Sequence, residues 1–203
     1  MMLGELSAKY ESNGYAGAIS DCPDDPGGKS YGTYQFSMNM GSLQEYVSWL
    51  CANHYWFGEE LAQHECGSDD FDDEWVSLAD GPNNEDFAQS QHDYIKERFY
   101  DPAVASLANA GWNVEKHADV MQDVIWSRAV QYGPGNIQEM VEDACAAMGY
   151  PNLSYIDAPN FDAGLIQAIY IDVCSSEEWN SSALRDSLNE RFQSECDEAL
   201  ARL

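Results

Sequence analysis

Apolar residues recur at helical spacing through most of this 203-residue chain, and that periodicity restricts the fold more than any other feature. Leu43, Tyr46, Val47, Leu50 and Cys51 form one stripe, preceded by Ser42 with Glu45 three residues on. The pattern reads as a capping box and predicts a helix from about 42 to 54. Phe87, Tyr94, Ile95 and Phe99 predict a second, from Asn84 to about Tyr100. Asp101-Pro102 then restarts the chain into a short helix reaching Ala110 and ending at Gly111. Val120, Met121, Val124, Ile125 and Ala129 mark a helix over about 115–131, closed by Gly133-Pro134-Gly135. Ile137, Met140, Val141, Ala144 and Met148 continue the pattern to a stop at Gly149 and Pro151. Phe161, Leu165, Ile169 and Val173 give another helix. Ser181 or Ser182 caps the last, which carries Leu184, Leu188, Phe192, Cys196, Ala199 or Leu200, and Leu203. Strand-like alternation appears only near residues 28–37, so the expected fold is mainly α, with at most a small β-hairpin or loop element there. The length and the 44% apolar content suit one domain over 1–203. The acidic stretch 67–86 carries turn signals and is expected to be a solvated loop, a mobile flap or lobe boundary. Its carboxylates do not follow the spacing of an EF-hand calcium loop, so no metal is assigned to it.

Nine basic against 36 acidic residues give a formal charge of −27. Such a surface repels phosphate backbones and anionic lipid, which argues against a nucleic-acid binder. No run approaches the roughly 20 apolar residues of a membrane span. The N-terminus MMLGELSAKYE shows neither the basic nor the apolar part of a secretory signal. The expectation is a protein made in the cytoplasm, without membrane insertion, and monomeric. The six cysteines are spaced singly, with no CxxC pair to hold zinc or run dithiol chemistry. They are expected to be mostly reduced and buried, with disulfides formed outside the cell as the alternative.

The chemistry concentrates between Tyr10 and Phe36. Glu11 ends a short helix-like run of Leu3, Leu6 and Tyr10, and Gly14 stops it. A carboxyl group held among apolar and aromatic groups keeps its proton near neutral pH, because burial disfavours the charged form. Such an acid can protonate a leaving glycosidic oxygen. A second carboxylate, needed to activate water, would come from Asp25, Asp24 or Asp21 in the Pro/Gly/Asp loop that follows. Gly27-Gly28-Lys29-Ser30 looks like the end of a phosphate loop, but the flanking strand, first glycine and helix are missing.

Glu11-Ser12, Ala18-Ile19-Ser20 and Ser30-Tyr31-Gly32-Thr33-Tyr34-Gln35 together resemble the E-S…A-x-S…G-x-x-Q signature of the lysozyme-like superfamily. The wording around them is similar to chitosanase-like and lysozyme-like peptidoglycan hydrolase domains of phage tails, endolysins and secretion-system spike proteins. FAQSQHDYIKERFYDPA and DVIWSRAVQYGPG extend the resemblance. It implies a lysozyme-like α-helical fold and a glycoside hydrolase acting on the β-1,4 strands of peptidoglycan, without a cofactor, with Glu11 as general acid. Ser30, Tyr34 and Gln35 match floor residues that position water and bind the sugar. The implied site of action is the bacterial wall, reached by release, injection or as part of a virion. The acidic insertion 21–29 departs from the transglycosylase pattern and leaves hydrolysis and cyclisation both open.

Outside this region, Gln131 and Tyr132 at a helix end, and Tyr170, are candidate substrate contacts, with core packing the plainer role for Tyr170. Arg128 is one of few cations and is expected to pair with an acidic neighbour; Arg191 and Glu195 read as an i,i+4 surface pair. His54-Tyr55-Trp56-Phe57 reads as core, or as a sugar-stacking platform. Chitosan is the alternative substrate, since a polycation suits an acidic protein, and a lytic transglycosylase the alternative outcome. A non-catalytic acidic interaction protein, imitating DNA or binding the wall, is the rival of another class.

Overall fold

The computed structural model describes residues 3–4, 6, 14–22, 27–175 and 185–203. The helix-like run ending at Glu11 and the caps at Ser181 or Ser182 lie outside the described residues. The chain forms two compact units, Ser7–Lys96 and Met1–Leu6 with Glu97–Leu203.

Among its described residues the first unit carries three short antiparallel strands, β1 (Ile19–Ser20), β2 (Ser30–Tyr31) and β3 (Phe36–Ser37), in sequence order. Ser20 faces Ser30 across the first pair, and Tyr31 faces Phe36 across the second. Four helices follow: α1 (Ser42–Ala52), α2 (Trp56–Leu61), α3 (Asp69–Asp80) and α4 (Asn84–Ile95). Their core is aromatic. Phe36 stacks on Tyr46 at 4.5 Å, while Trp75 meets Phe87 at 4.9 Å and Tyr31 at 5.3 Å, both edge-on. Each such pair contributes about 0.5–1.5 kcal/mol beyond its buried area.

Two expectations change here. Ser42 does not cap α1; it is the first helical residue, behind Gly41 at φ 87°. Its hydroxyl instead accepts the N–H of Ser37 at 2.8 Å, closing the loop that leads out of β3. Residues 69–80 are not a loop. Ser68 caps α3 by accepting from the N–H of Phe71, and Asp69, Asp70 and Asp72 crowd the first turn, where the helix dipole favours negative charge. Phe71, Trp75, Leu78 and Ala79 bury the inner face of α3.

After a π-helical turn, Lys96–Tyr100, the second unit carries α5 (Asp101–Asn109), followed by α6 (Asp119–Tyr132), α7 (Ile137–Ala147), α8 (Asp162–Ser175) and α9 (Arg185–Ala201). Gly111 at φ 91° and Gly133 at φ 79° make the expected stops. Trp126 is fully buried, and Gly4 packs on its indole, where an added Cβ would lie 2.8 Å from the ring. Among the described residues no helix is long and apolar enough to cross a membrane.

Candidate functional site

The β-hairpin is held in place by α3 and α4. The carbonyl of Ala16 accepts two side-chain donors, Trp75 Nε1 and Gln91 Nε2, each at 3.0 Å. Gln91 Oε1 accepts the N–H of Thr33 at 2.8 Å, so one buried amide ties the segment before β1 to the hairpin turn. The N–H of Gly32 donates to the carbonyl of Ala18 at 2.7 Å. Gly32 has φ 77°, and a Cβ there would sit 2.5 Å from Gln91 Oε1. Both its backbone and its surroundings call for glycine. At the far end of the strands, Asp72 receives Lys29 Nζ at 2.6 Å and the Tyr31 hydroxyl at 2.5 Å. Burial and the Asp72 carboxylate together push the Tyr31 phenol far up, so it remains a donor. The hydrogen bond to Asp72 likewise raises Lys29 and keeps it charged.

Of the residues singled out from the sequence, Ser30 lies half-buried in β2, and Tyr34 is largely buried in the turn. Gln35 adopts φ 52°, uncommon for a residue with a side chain. Its amide donates to the carbonyl of Gly32 at 2.9 Å, a brace inside the turn. Asp21 follows β1 and is exposed; its charge reaches Lys29 and Tyr31 and adds to what keeps both protonated. Glu11, Asp24 and Asp25 lie outside the described residues. In the 54–57 run the roles divide: Phe57 is buried edge-on against Phe87, whereas Trp56 stands 51% exposed.

Gln131 and Tyr132 are half-buried at the C-terminal end of α6, and the Arg128 guanidinium lies 5.8 Å from the Tyr132 ring centre. Tyr170 is core: it is 3% exposed, and its hydroxyl donates to Glu195 at 3.1 Å. The expected partner of Arg128 is that same Glu195, 2.5 Å away and fully buried. Ser127 donates to it at 3.2 Å and Arg191 at 2.9 Å. Arg191 and Glu195 are therefore not a surface pair. Glu195 shares the inner face of α9 with Phe192 and Ala199, and only a set of convergent donors lets a carboxylate stay there.

The sequence reading missed a second buried cluster. His117 Nδ1 lies 2.6 Å from Asp162, its ring stacks on Trp112 at 4.2 Å, and Nε2 is 3.6 Å from Asp157. Asp162 also accepts the N–H of Ala118, so this cluster ties the start of α8 to the start of α6. Among the described residues no group of three or more His, Cys, Asp or Glu side chains could hold a metal ion. Only Cys145 and Cys196 are buried; Cys22 is exposed and the others are half-buried. Burial pushes the Cys66, Cys145, Cys174 and Cys196 thiols up, away from the reactive thiolate.

A small antiparallel sheet packed on helices, followed by a second helical unit, is the fold of chitosanases. The native chitosanase from Bacillus subtilis MY002 matches with a TM-score of 0.57, covering 98% of this chain and 83% of that one at 18% identity. A mutant form of it complexed with 6 GlcN gives 0.57 at 19% identity over the same shares. Chitosanase OU01 with substrate gives 0.56 at 17% identity, over 97% of this chain and 87% of that one. At these identities the likeness is one of fold. Residues 3–196 match the family described as type VI secretion system spike protein VgrG3-like, C-terminal, and the chain belongs to that family. The type VI secretion system spike protein VgrG3 of Vibrio cholerae serotype O1 (strain ATCC 39315 / El Tor Inaba N16961) is 36% identical over 132 residues, 64% of this chain. That match spans 12% of the relative's length. Of the groups named from the sequence, membership thus falls to the secretion-spike domains and not to phage endolysins.

Proposed function

We propose that this chain is a lysozyme-like glycoside hydrolase domain that cleaves the β-1,4 glycan strands of bacterial peptidoglycan, with Glu11 as general acid. The observation that carries the reading is the pairing of Ser20 with Ser30, which brings the A-x-S and S-Y-G-x-Y-Q parts of the signature side by side in one sheet. Family membership and the chitosanase fold support it independently.

In this reading Glu11 protonates the leaving oxygen while Asp21, Asp24 or Asp25 directs a water to the opposite face of the sugar. An inverting enzyme holds the two carboxyl groups about 6.5–9.5 Å apart to leave room for that water. Ser30, Tyr34 and Gln35 form the floor, and Gln131 and Tyr132 are further candidate contacts. Residues 1–203 act as one catalytic domain, delivered to the wall of a target cell in association with a secretion spike.

A chitosan-cleaving reading is the second, favoured by the charge of −27, which would draw a polycationic sugar. Mass spectrometry of the products from peptidoglycan and from chitosan separates them. Reducing-end muropeptides support the first reading. Glucosamine oligomers alone support the second, and 1,6-anhydro ends would replace hydrolysis with transglycosylation. Intact substrates, with tight capture of a basic protein, would favour a non-catalytic binder.

A further inference from the structure

We propose that the open face of Tyr15 is a sugar-stacking subsite, an assignment that rests on the glycan-cleaving reading and extends it to a residue outside the signature. Tyr15 is 45% exposed, yet its ring is fixed at both ends. The hydroxyl donates to Asp80 Oδ1 at 2.8 Å. Behind the ring lies Gly17, where a Cβ would stand 2.5 Å from the Tyr15 Cζ and hydroxyl and 2.7 Å from the Ala79 Cβ. Gly17 does not have a positive φ; the space taken by the ring is what excludes a side chain there.

The backbone beneath the ring is equally constrained. The Tyr15 carbonyl accepts the N–H of Ala18 at 3.2 Å. The next carbonyl, that of Ala16, is the one held by both Trp75 and Gln91. A lone exposed aromatic ring needs no explanation. A ring tethered through its hydroxyl, backed by a glycine and mounted on a doubly anchored peptide is preorganised, and loses little freedom when a ligand meets it.

A pyranose ring offers an apolar C–H face edged with hydroxyls. That shape fits an aromatic face with a carboxylate at its edge, because Asp80 can accept from the sugar's rim. The charge of −27 disfavours a nucleic-acid base on this ring. The hydrogen bond to Asp80, with burial and charge, raises the Tyr15 phenol, which therefore stays a donor. Tyr15 is four residues from Glu11, a span of at most about 14 Å of extended chain.

Calorimetric titration of soluble, peptide-free peptidoglycan glycan strands into Glu11→Gln protein, with and without a change at Tyr15, tests the subsite. Tyr15→Ala is expected to weaken binding about tenfold, the scale of one lost aromatic contact. Tyr15→Leu fills the space above Gly17 without an aromatic face, and should lose as much. Tyr15→Phe keeps the face and should stay within about threefold. Equal affinity of the Leu variant and its parent overturns the subsite. Cleavage that is indifferent to Glu11→Gln overturns the reaction assignment alone, because Tyr15-dependent binding would persist. No binding of strands by any of the proteins overturns both.

Discussion

Gln91 accepts the backbone N–H of Thr33 at 2.8 Å and with its other amide atom donates to the carbonyl of Ala16. A single side chain from α4 thus sets the spacing between the chain entering β1 and the turn that carries Tyr34 and Gln35. Gln91→Leu removes the acceptor of a buried N–H, which costs about 1–3 kcal/mol. Urea unfolding should show that loss, and Gln91→Glu should recover part of it, since a carboxylate still accepts from Thr33. An unchanged midpoint in Gln91→Leu would mean the clamp is not needed.

Gly32→Ala should be worse than an ordinary glycine substitution. It combines a left-handed backbone at φ 77° with a Cβ 2.5 Å from Gln91 Oε1. A loss of at least about 2 kcal/mol is expected, with activity falling alongside. Gly135→Ala, which meets nothing within 4 Å and lacks a positive φ, serves as the control.

The buried pair of Arg128 and Glu195 makes a separate prediction for the helical unit. Glu195→Ala strands a guanidinium that is wholly enclosed, and should cost about 3–5 kcal/mol. Replacing both partners, as Arg128→Met with Glu195→Leu, removes the uncompensated charge and should recover much of that loss. Chemical denaturation of Arg128→Met, Glu195→Leu and the double variant measures the coupling. Additive losses would contradict it.

Acid should weaken the protein partly through Asp157. Burial pushes its carboxyl up, but hydrogen bonds from Lys116 and the N–H of Asn113, with the nearby positive charge, outweigh it and hold the carboxyl below its ordinary 3.8. A carboxylate depressed in the folded state adds stability above its unfolded pKa, and that stability fades as the pH falls through the folded value. Asp157→Asn should therefore be less stable than the native chain near neutral pH. The gap should close as the pH drops below about 3.8. A gap constant with pH would assign the loss to packing.

Much of the helical scaffold was legible because core-facing helices repeat apolar residues at 3.6 spacing, as in Val120, Met121, Val124 and Ile125. Helix α3 was obscured by carboxylates that look like a loop, although Phe71, Trp75 and Leu78 keep i, i+4, i+7 spacing and Ser68 stands at the cap. Glu195 was misread because Arg191 supplies a local partner, whereas its burial depends on Arg128, 67 positions away. Gln91 lies in a segment that extends the resemblance, FAQSQHDYIKERFYDPA, but nothing in it singled out Gln91. A polar residue between Ser90 and His92 announces nothing until Ala16 and Thr33 are brought to either side of it. Ser20 and Ser30 lie ten positions apart in sequence and pair directly, whereas Glu11 lies outside the described residues.

The most direct measurement is the clearing rate of purified cell walls by the native chain and by Glu11→Gln. Removing a general acid costs about 100- to 10,000-fold, so the native chain should clear the suspension while the variant, equally folded, barely changes it. Equal rates from the two proteins would contradict the assignment of Glu11.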